Sequence, residues 1–407
     1  MEVGVYMARG DERIERIMAA LQQANLDALV CTHPTNVLLL SGYWPVVGAS
    51  IVVATRDGRV AVLAPEDERD LADGGWAGTV RTFQSGSLES LPDVVAAVEG
   101  PLAAVARELG ATGARVGHED GDFFEQSSYA AMHYYGPVTA PLLGRAMPGA
   151  TLTLAADLIK TLRAALTGDE LARVRAACQV AGEAFERGAA GLRAGLREPE
   201  AAALFETPLS VVGLGRAGVA RAGGFVYCMS GENSARAGSA YARTRDRAML
   251  HGDLVLIHCN SYVDGYWTDI TRTYCLGEPS ERQRAIHDAI FAARAAALAV
   301  IRPGARAADV DAAARAVLRD RGFGAYFTHG LGHNVGFTAI STDGPPRLHP
   351  ASDDVLESGM VFNVEPAVYI AGYGGARHCD VVTVTADGAQ VLTPFQATIE
   401  ELTVDTR

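Results

Sequence analysis

The stretch Val255–Thr273, "VLIHCNSYVDGYWTDITRT", constrains the fold more than any other part of the sequence. Two β-rich runs flank Asp264-Gly265, a strong signal for a hairpin turn. Side chains alternate faces along a strand, so His258 and Asp269 share one face. They are diagonal neighbours if the turn centres on Asp264-Gly265 and directly opposite if it centres one residue earlier. Taken alone, the pair is equally compatible with an exposed face of a sheet.

Three later segments add polar side chains to apolar, strand-like surroundings. "THGLGHNVGF" places His329 and His333 in a glycine-rich run that predicts a tight loop approaching a ligand. "VFNVEPAVY" places Glu365 inside an apolar strand, where a carboxylate must be solvated, paired or metal-bound. "GGARHCDVV" brings Arg377 and Cys379 to the start of another strand. Such a set of side chains at strand ends is typical of a metal or acid–base site.

Composition limits the possible partners and location. The 407 residues, 49% hydrophobic and 20% charged, predict a globular protein with room for two domains. A net charge of −13 argues against a nucleic-acid partner, and the absence of a long apolar run argues against a membrane. The charged N-terminus lacks the apolar segment of a secretory signal, and the six cysteines show no CxxC spacing. We therefore expect a cytoplasmic protein with reduced thiols.

Helical and strand patterns divide the chain near residue 160. The first part alternates helices and strands, including a helix over 11–24 and a hairpin around "RDG", which predicts a small α/β domain. "TGDE" then starts a long helix, with Thr167 or Asp169 as its cap. Helices at roughly 278–302 and 307–321 are separated by "RPGAR", and strands dominate afterwards. The expected domains are residues 1–160 and 161–407 of an α/β (α+β) protein.

Five segments, in this order, resemble the creatinase/aminopeptidase P/prolidase superfamily, the M24 "pita-bread" metallopeptidases. They are "HPTNVLLLSGY", "LTGDELARVRAACQVAGEAF", "VIRPGARAADVDAAARAVLRDRGFG", "THGLGHNVGF" and "SGMVFNVEPAVYIAGYGGARHCDVV". The resemblance covers nearly the whole chain. It implies a small N-terminal creatinase-type α/β domain, a C-terminal pita-bread domain and a homodimer.

The resemblance also implies which residues bind metal. The family's peptidases hold two divalent ions through two aspartates, one histidine and two glutamates. Three of these ligands are retained, as Asp269, His333 and Glu365. The first aspartate is replaced by His258, and the last glutamate, which bridges the two ions, is replaced by Cys379. Two of the five ligand positions therefore depart from the family pattern.

Further departures and matches surround the ligand set. Two histidines that handle protons in the family fall on Gly238 and Ile340. His329 and Arg377 match residues that contact the substrate in aminopeptidase P-like enzymes. The substrate-holding groups thus persist while the proton-shuttling groups are gone.

Charge balance predicts one metal ion instead of two. The usual four carboxylates balance two dications, whereas Asp269 and Glu365 supply two negative charges and a Cys379 thiolate would supply a third. With His333, they form a nitrogen, oxygen and sulfur set that suits Zn²⁺ or Fe²⁺ better than Mn²⁺. His258 is a further candidate ligand at the altered position.

A site without metal is the alternative, as in creatinase, which the resemblance includes. His258 paired with Asp269 could act as a general base, with His329 and Glu365 as further catalytic groups. Cys379 could be a nucleophile if an adjacent imidazolium, from His258 or from residue 378, lowers its pKa.

The expected function is hydrolysis of a C–N bond in a small amide, guanidine-like or dipeptide-like molecule. Ordinary Xaa-Pro aminopeptidase or dipeptidase activity is one alternative, and a metal-free creatinase-like hydrolase is another. A non-catalytic binding protein on the same fold is the third, and the chemically capable His258 and Cys379 argue against it. The expected partner is a small molecule or a short peptide.

Overall fold

The structure is a computed structural model that describes residues 10–84, 86–90, 93–119, 135–239, 243–342 and 344–405. The chain divides into two compact units, Met1–Arg163 and Ala164–Arg407. Among the described residues, no helix is both long and apolar enough to cross a membrane. All six cysteines are free and buried.

The first unit alternates helices and strands. In chain order its elements are α1 (Asp11–Gln23), β1 (Ala28–Cys31), α2 (Pro34–Ser41), β2 (Ile51–Thr55), β3 (Val60–Pro65), α3 (Arg69–Asp73), β4 (Thr79–Phe83), α4 (Val94–Leu109), β5 (Arg115–His118), α5 (Thr139–Ala146), β6 (Thr151–Leu154) and α6 (Ala156–Ala164).

A six-stranded sheet in the order β4-β3-β2-β1-β5-β6 forms the centre of this unit. The predicted helix over 11–24 is confirmed as α1, and the predicted hairpin is confirmed as the antiparallel pair β2–β3. Apolar side chains of α4 and α5 pack with those of β1, β2 and β3 in one buried cluster. Asp93 is the N-cap of helix α4, and its side chain accepts a hydrogen bond from the Ala96 amide at 2.8 Å.

The second unit begins with two long helices and ends mainly in strands. Its elements are α7 (Gly168–Ala189), α8 (Glu198–Leu214), β7 (Ala222–Ser230), β8 (Leu254–Val263), β9 (Tyr266–Trp267), β10 (Ile270–Leu276), α9 (Glu281–Val300), α10 (Ala307–Asp320), β11 (Val361–Val364), β12 (Ala367–Ile370), β13 (Gly374–Arg377), β14 (Asp380–Thr385), β15 (Gly388–Val391) and β16 (Thr403–Val404).

Helix α7 starts where the "TGDE" signal predicts. Thr167 is the N-cap, and its hydroxyl accepts from the Glu170 amide while the Glu170 carboxylate accepts from the Thr167 amide. This reciprocal capping box satisfies two backbone donors that the helix itself leaves free. Asp169 lies in the first turn, where its negative charge interacts favourably with the helix dipole.

The predicted hairpin around Asp264-Gly265 is confirmed: β8 pairs antiparallel with β9 across the turn and then with β10. Asp264 and Gly265 both have positive φ, 49° and 87°, as a two-residue type I′ turn requires. The register pairs His258 with Thr271, so Asp269, two residues earlier, is the diagonal neighbour of His258 on the same face. Strand β8 lies between β7 and β10 in its sheet, so pairing on both sides fixes the orientation of the face that carries His258.

The expected continuous strand through Glu365 is wrong, because Glu365 and Pro366 separate β11 from β12. Proline has no backbone N–H to donate to a ladder, so pairing breaks there. The Glu365 amide instead donates to Leu331 O at 2.8 Å, and the Asn363 amide donates to His333 O at 3.1 Å. The glycine-rich run around His333 is therefore a loop, as predicted, that lies along β11.

Candidate metal centre

The residues singled out from the sequence come together in the second unit. His258 lies on β8, Asp269 precedes β10, Glu365 lies between β11 and β12, and Cys379 lies between β13 and β14. Candidate ligand atoms of Asp269, Glu365 and Cys379 all lie within 4.8 Å of one another, and all three residues are buried. The loop along β11 adds His333 to this group.

His333 presents its Nε2 atom to the two carboxylates. Nε2 lies 3.3 Å from Asp269 Oδ2 and 4.0 Å from Glu365 Oε1. Its Nδ1 lies 3.0 Å from the Asn334 carbonyl oxygen, which can only accept, so Nδ1 carries the proton. Burial disfavours the imidazolium, but the hydrogen bond and charge of Asp269 outweigh it and raise the His333 pKa above its ordinary value.

Asn363 is a site residue that the sequence reasoning missed. Its Oδ1 accepts from the His333 amide at 2.7 Å, which points its Nδ2 toward Asp269 Oδ2 at 3.3 Å, His333 Nε2 at 3.1 Å and Cys379 Sγ at 3.5 Å. The available signal was period-two alternation in "VFNVE", which places Asn363 on the face of Glu365. Asn363 thus fixes the spacing of three candidate ligands.

The Cys379 thiol is fully buried against Asp269. Its Sγ lies 3.2 Å from Asp269 O and 3.9 Å from Asp269 Oδ1. Burial raises the Cys379 pKa well above its ordinary value, and the charges of Asp269 and Glu365 raise it further. A thiolate there therefore needs a cation beside it. His378 does not supply one, because its ring contacts Phe291 and its Nε2 lies 3.4 Å from Asp380 Oδ2.

Arg377 contacts both His258 and Glu365. Its Nη2 lies 2.8 Å from His258 Nδ1, its Nε donates to Thr271 Oγ1 at 3.0 Å, and its Nη1 lies 3.6 Å from Glu365 Oε2. His258 Nδ1 also lies 3.4 Å from Asp269 Oδ1. Burial is the main cause that lowers the His258 pKa; the Asp269 charge opposes this shift, and the Arg377 charge adds to it.

His329 lies at the edge of the same group. Its Nδ1 is 2.7 Å from Gly330 O, and its Nε2 is 3.2 Å from the Tyr369 hydroxyl. Tyr369 is another residue missed from sequence; burial raises the pKa of its hydroxyl to about 12, and the nearby Arg377 charge opposes this rise. A Cβ on Gly238 would lie 2.8 Å from the Tyr369 ring, so the ring occupies the space in front of that glycine.

The donor set has the chemistry of a site for a divalent ion. Carboxylate oxygens of Asp269 and Glu365 lie 3.3 Å and 4.0 Å from His333 Nε2, and ligand atoms of Asp269, Glu365 and Cys379 lie within 4.8 Å of one another. Beside the altered position, the cationic Arg377 already directs a nitrogen at the His258 lone pair. A second dication there would face that guanidinium with no carboxylate from residue 258 or 379.

Comparisons with known proteins show which family has these two α/β units and this group of polar side chains. Residues 172–386 match metallopeptidase family M24, and residues 13–165 match the creatinase/prolidase N-terminal domain. The Xaa-Pro dipeptidase of Pyrococcus furiosus is 29% identical over 94% of this chain and 97% of its own length.

Solved structures show the same architecture. The prolidase from Pyrococcus horikoshii has a TM-score of 0.74 and 25% identity, covering 94% of this chain and 98% of that one. Dipeptidase PepE from Mycobacterium ulcerans has a TM-score of 0.72 and 28% identity, covering 97% of each chain.

The chain belongs to metallopeptidase family M24, within the creatinase/aminopeptidase P/prolidase superfamily. The predicted fold is confirmed: a creatinase-type N-terminal domain precedes a pita-bread domain. The protein is a hydrolase, and its family implies a divalent metal cofactor.

Proposed function

We propose that this protein hydrolyses the C–N bond of a small amide, dipeptide-like substrate at a site that binds one divalent metal ion. The observation that carries the proposal is the Asp269, His333 and Glu365 group, which is retained, beside a position changed to His258 and covered by Arg377. The relatives named as Xaa-Pro dipeptidases support a dipeptide-like substrate.

The proposed ligands are Asp269, His333 and Glu365, with Cys379 as the fourth. A bound divalent ion supplies Lewis-acid polarisation of a carbonyl oxygen and activates water as a nucleophile. Zn²⁺ or Fe²⁺ suits this mixed set better than Mn²⁺. Cys379 enters as a thiolate only with the ion present, since its pKa is raised by burial in its absence.

The chain's own groups then hold the substrate and move protons. Arg377, a permanent cation, is placed to bind a carboxylate or carbonyl oxygen, and His329 borders the same space. Glu365 is the proposed proton acceptor, because its Oε2 faces Arg377 while its Oε1 faces His333. His258 is proposed to contact the substrate from the position of the missing aspartate.

Ordinary Xaa-Pro dipeptidase activity is the second candidate, favoured by the names of the relatives over nearly the full chain. Metal-free hydrolysis is the third, since Arg377 and a His333 with raised pKa already offset two carboxylates. We further propose a cytoplasmic homodimer, as the family resemblance implies.

A panel assay for released amine separates these candidates. Purified protein supplied with Zn²⁺, Fe²⁺ or Mn²⁺ is tested on Xaa-Pro dipeptides, other dipeptides and simple N-acyl amides. We expect hydrolysis of at least one class, abolished by chelator, with Asp269→Asn at least about 100-fold slower. The exposed Asp387→Asn variant is the matched control and should retain wild-type activity.

Three outcomes would overturn the proposal in different ways. Xaa-Pro hydrolysis that needs two metal equivalents would establish the ordinary dipeptidase. Activity that survives exhaustive chelation would establish the metal-free mechanism. Absence of hydrolysis across the panel, with the metal bound, would remove the enzymatic assignment to C–N bonds.

A further inference from the structure

The hydrogen-bond partners of His258 determine which ring nitrogen carries its proton. Arg377 Nη2 lies 2.8 Å from Nδ1, and an arginine can only donate. Thr271 Oγ1, at 3.2 Å from the same Nδ1, accepts from Arg377 Nε and so is free to turn its own proton toward the ring. Two donors thus converge on Nδ1, which must supply the lone pair, and in a neutral imidazole the proton then lies on Nε2.

Hydrogen bonds hold Arg377 in place, so the direction of its bond to His258 Nδ1 does not depend on rotation of its side chain. Its backbone N–H donates to Thr273 Oγ1, and the Thr273 hydroxyl donates to the Arg377 carbonyl, both at 3.0 Å. Its Nε is bound by Thr271 and its Nη1 faces Glu365. The guanidinium is therefore anchored on both sides before it reaches His258.

The hydrogen bonds of His329 and Tyr369 are consistent with Arg377 acting as a donor. The Gly330 carbonyl can only accept, so His329 Nδ1 carries a proton and His329 Nε2 must accept from the Tyr369 hydroxyl. The Tyr369 oxygen then keeps its lone pairs, which the nearby Arg377 charge favours. Arg377 therefore donates to His258 and presents its positive charge to Tyr369. Glycine at position 238 makes room for this arrangement, because a Cβ there would meet the Tyr369 ring.

We propose that His258 is a hydrogen-bond donor that presents Nε2–H to an oxygen of the substrate, with Arg377 and Tyr369 as positioning residues. This inference rests on the proposed function only for the identity of the ligand. Among the described residues, every hydrogen bond of His258 is formed by Nδ1, and Nε2 is left for an added group. An aspartate in that place offers only acceptor atoms, so the change converts an acceptor position into a donor position.

The ligand that fits is an oxygen acceptor, either a carboxylate or an amide carbonyl. Arg377 and His258 Nε2–H together form a donor pair, and carboxylates are recognised by such pairs through charge-assisted hydrogen bonds. His258 would not serve as the general base in this arrangement, because its only lone pair is occupied by Arg377. That role falls to Glu365.

The first test reads the tautomer directly and needs no substrate. Full-length protein labelled with ¹⁵N-histidine and supplied with Zn²⁺ is studied by long-range ¹H–¹⁵N correlation, with His258 assigned by loss of its signals in His258→Gln. We expect a neutral ring protonated at Nε2. Arg377→Met removes the charged donor to Nδ1 and leaves the Asp269 Oδ1 acceptor 3.4 Å from that atom, so the proton should move to Nδ1. A wild-type ring protonated at Nδ1, or at both nitrogens, would overturn the proposal.

The second test uses two amide variants and a defined ligand pair. Glutamine can place its N–H₂ near the Nε2 position of histidine, whereas asparagine reaches only the Nδ1 position. Binding of L-proline and of L-prolinamide is measured by calorimetry. We expect His258→Asn to weaken L-proline binding roughly tenfold, the loss of one hydrogen bond, and His258→Gln to stay within about threefold of wild type. Equal losses in both variants would contradict a donor role.

Comparing L-proline with L-prolinamide shows whether His258 binds a carboxylate or a carbonyl oxygen. Binding to the wild-type protein separates the proposed substrate class from the proposed donor role of His258. A selective loss for L-proline assigns a carboxylate to His258, and equal losses for both ligands assign the carbonyl that they share. Failure of the wild-type protein to bind either ligand would count against the dipeptide-like substrate class. The tautomer of His258 would still decide the donor proposal in that case.

Discussion

Replacing Gly332 by alanine should disturb the candidate metal centre without touching any ligand. The loop that carries His333 lies so close to β11 that a Cβ on Gly332 would lie 1.9 Å from the Asn363 carbonyl oxygen and 2.9 Å from Asn363 Oδ1. Ordinary contacts begin near 3.4 Å, so the loop and the strand would have to separate by about 1.5 Å.

The loop cannot move away freely, because hydrogen bonds hold it on both sides. The Leu348 amide donates to Gly332 O at 2.8 Å, and the Glu365 amide donates to Leu331 O at 2.8 Å. Overpacking of this kind costs about 1–3 kcal/mol of stability. Even a shift of about 1 Å at His333, next in sequence, is enough to reduce a turnover rate about 100-fold.

The measurement combines stability with metal binding. Urea denaturation should show a free energy of unfolding lower by about 1–3 kcal/mol for Gly332→Ala, and Zn²⁺ affinity by calorimetry should fall about tenfold or more. Gly144→Ala is the control, because Gly144 is an exposed helical position where a Cβ meets nothing within 4 Å. Wild-type stability and affinity in Gly332→Ala would refute the close approach of loop and strand.

Three further predictions concern charge. His258→Asp combined with Cys379→Glu restores both lost carboxylates and should raise bound metal from one equivalent to two by elemental analysis; a folded double variant with one ion would show that the ligand carry-over is wrong. Burial, with the nearby charge of residue 378, lowers the His287 pKa to about 4. The unfolded state therefore binds the proton first, and stability falls by about 2 kcal/mol between pH 7 and pH 5 from this residue. Urea titrations of His287→Leu at both pH values should show a correspondingly smaller fall. Arg272→Ala removes a fully buried partner 2.8 Å from Asp380 and should lower the free energy of unfolding, measured in urea, by about 3–5 kcal/mol. A loss below about 1 kcal/mol would contradict this, because the other partners of Asp380 would then be enough to stabilise its buried charge.

Local signals were sufficient for the secondary structure that positions the site. The Asp264-Gly265 turn, the Thr167 cap and the glycines around His333 each act within a few residues, so the sequence predicts their conformation. The register of the hairpin stayed open between two choices. Positive φ at both Asp264 and Gly265 decides it, because only the two-residue turn there requires both.

Orientation across elements was beyond the sequence. Asn363 contacts three candidate ligands only because the His333 amide fixes its Oδ1, a contact between residues thirty positions apart. The direction of Arg377 depends on two threonines of β10, and the position of Tyr369 depends on space left in front of Gly238. Such contacts arise from packing between segments, which periodicity along one strand does not encode.

Two expectations needed correction, each for its own physical reason. Glu365 was expected within a strand because its neighbours are apolar, but Pro366 removes a backbone donor and ends the ladder. His378 was a candidate activator of Cys379 from adjacency alone. Between β13 and β14 the chain turns its side chain toward Asp380 instead, and neighbouring residues face opposite sides there.

The number of metal ions per chain tests the central claim most directly. Protein purified without added metal, and again after saturation with Zn²⁺ and removal of the excess, is measured by elemental analysis against protein concentration. One equivalent per chain is the predicted value, lost in Asp269→Asn and retained in Asp387→Asn. Two equivalents in the wild-type protein, or fully active protein with none, would contradict a hydrolase built around a single ion.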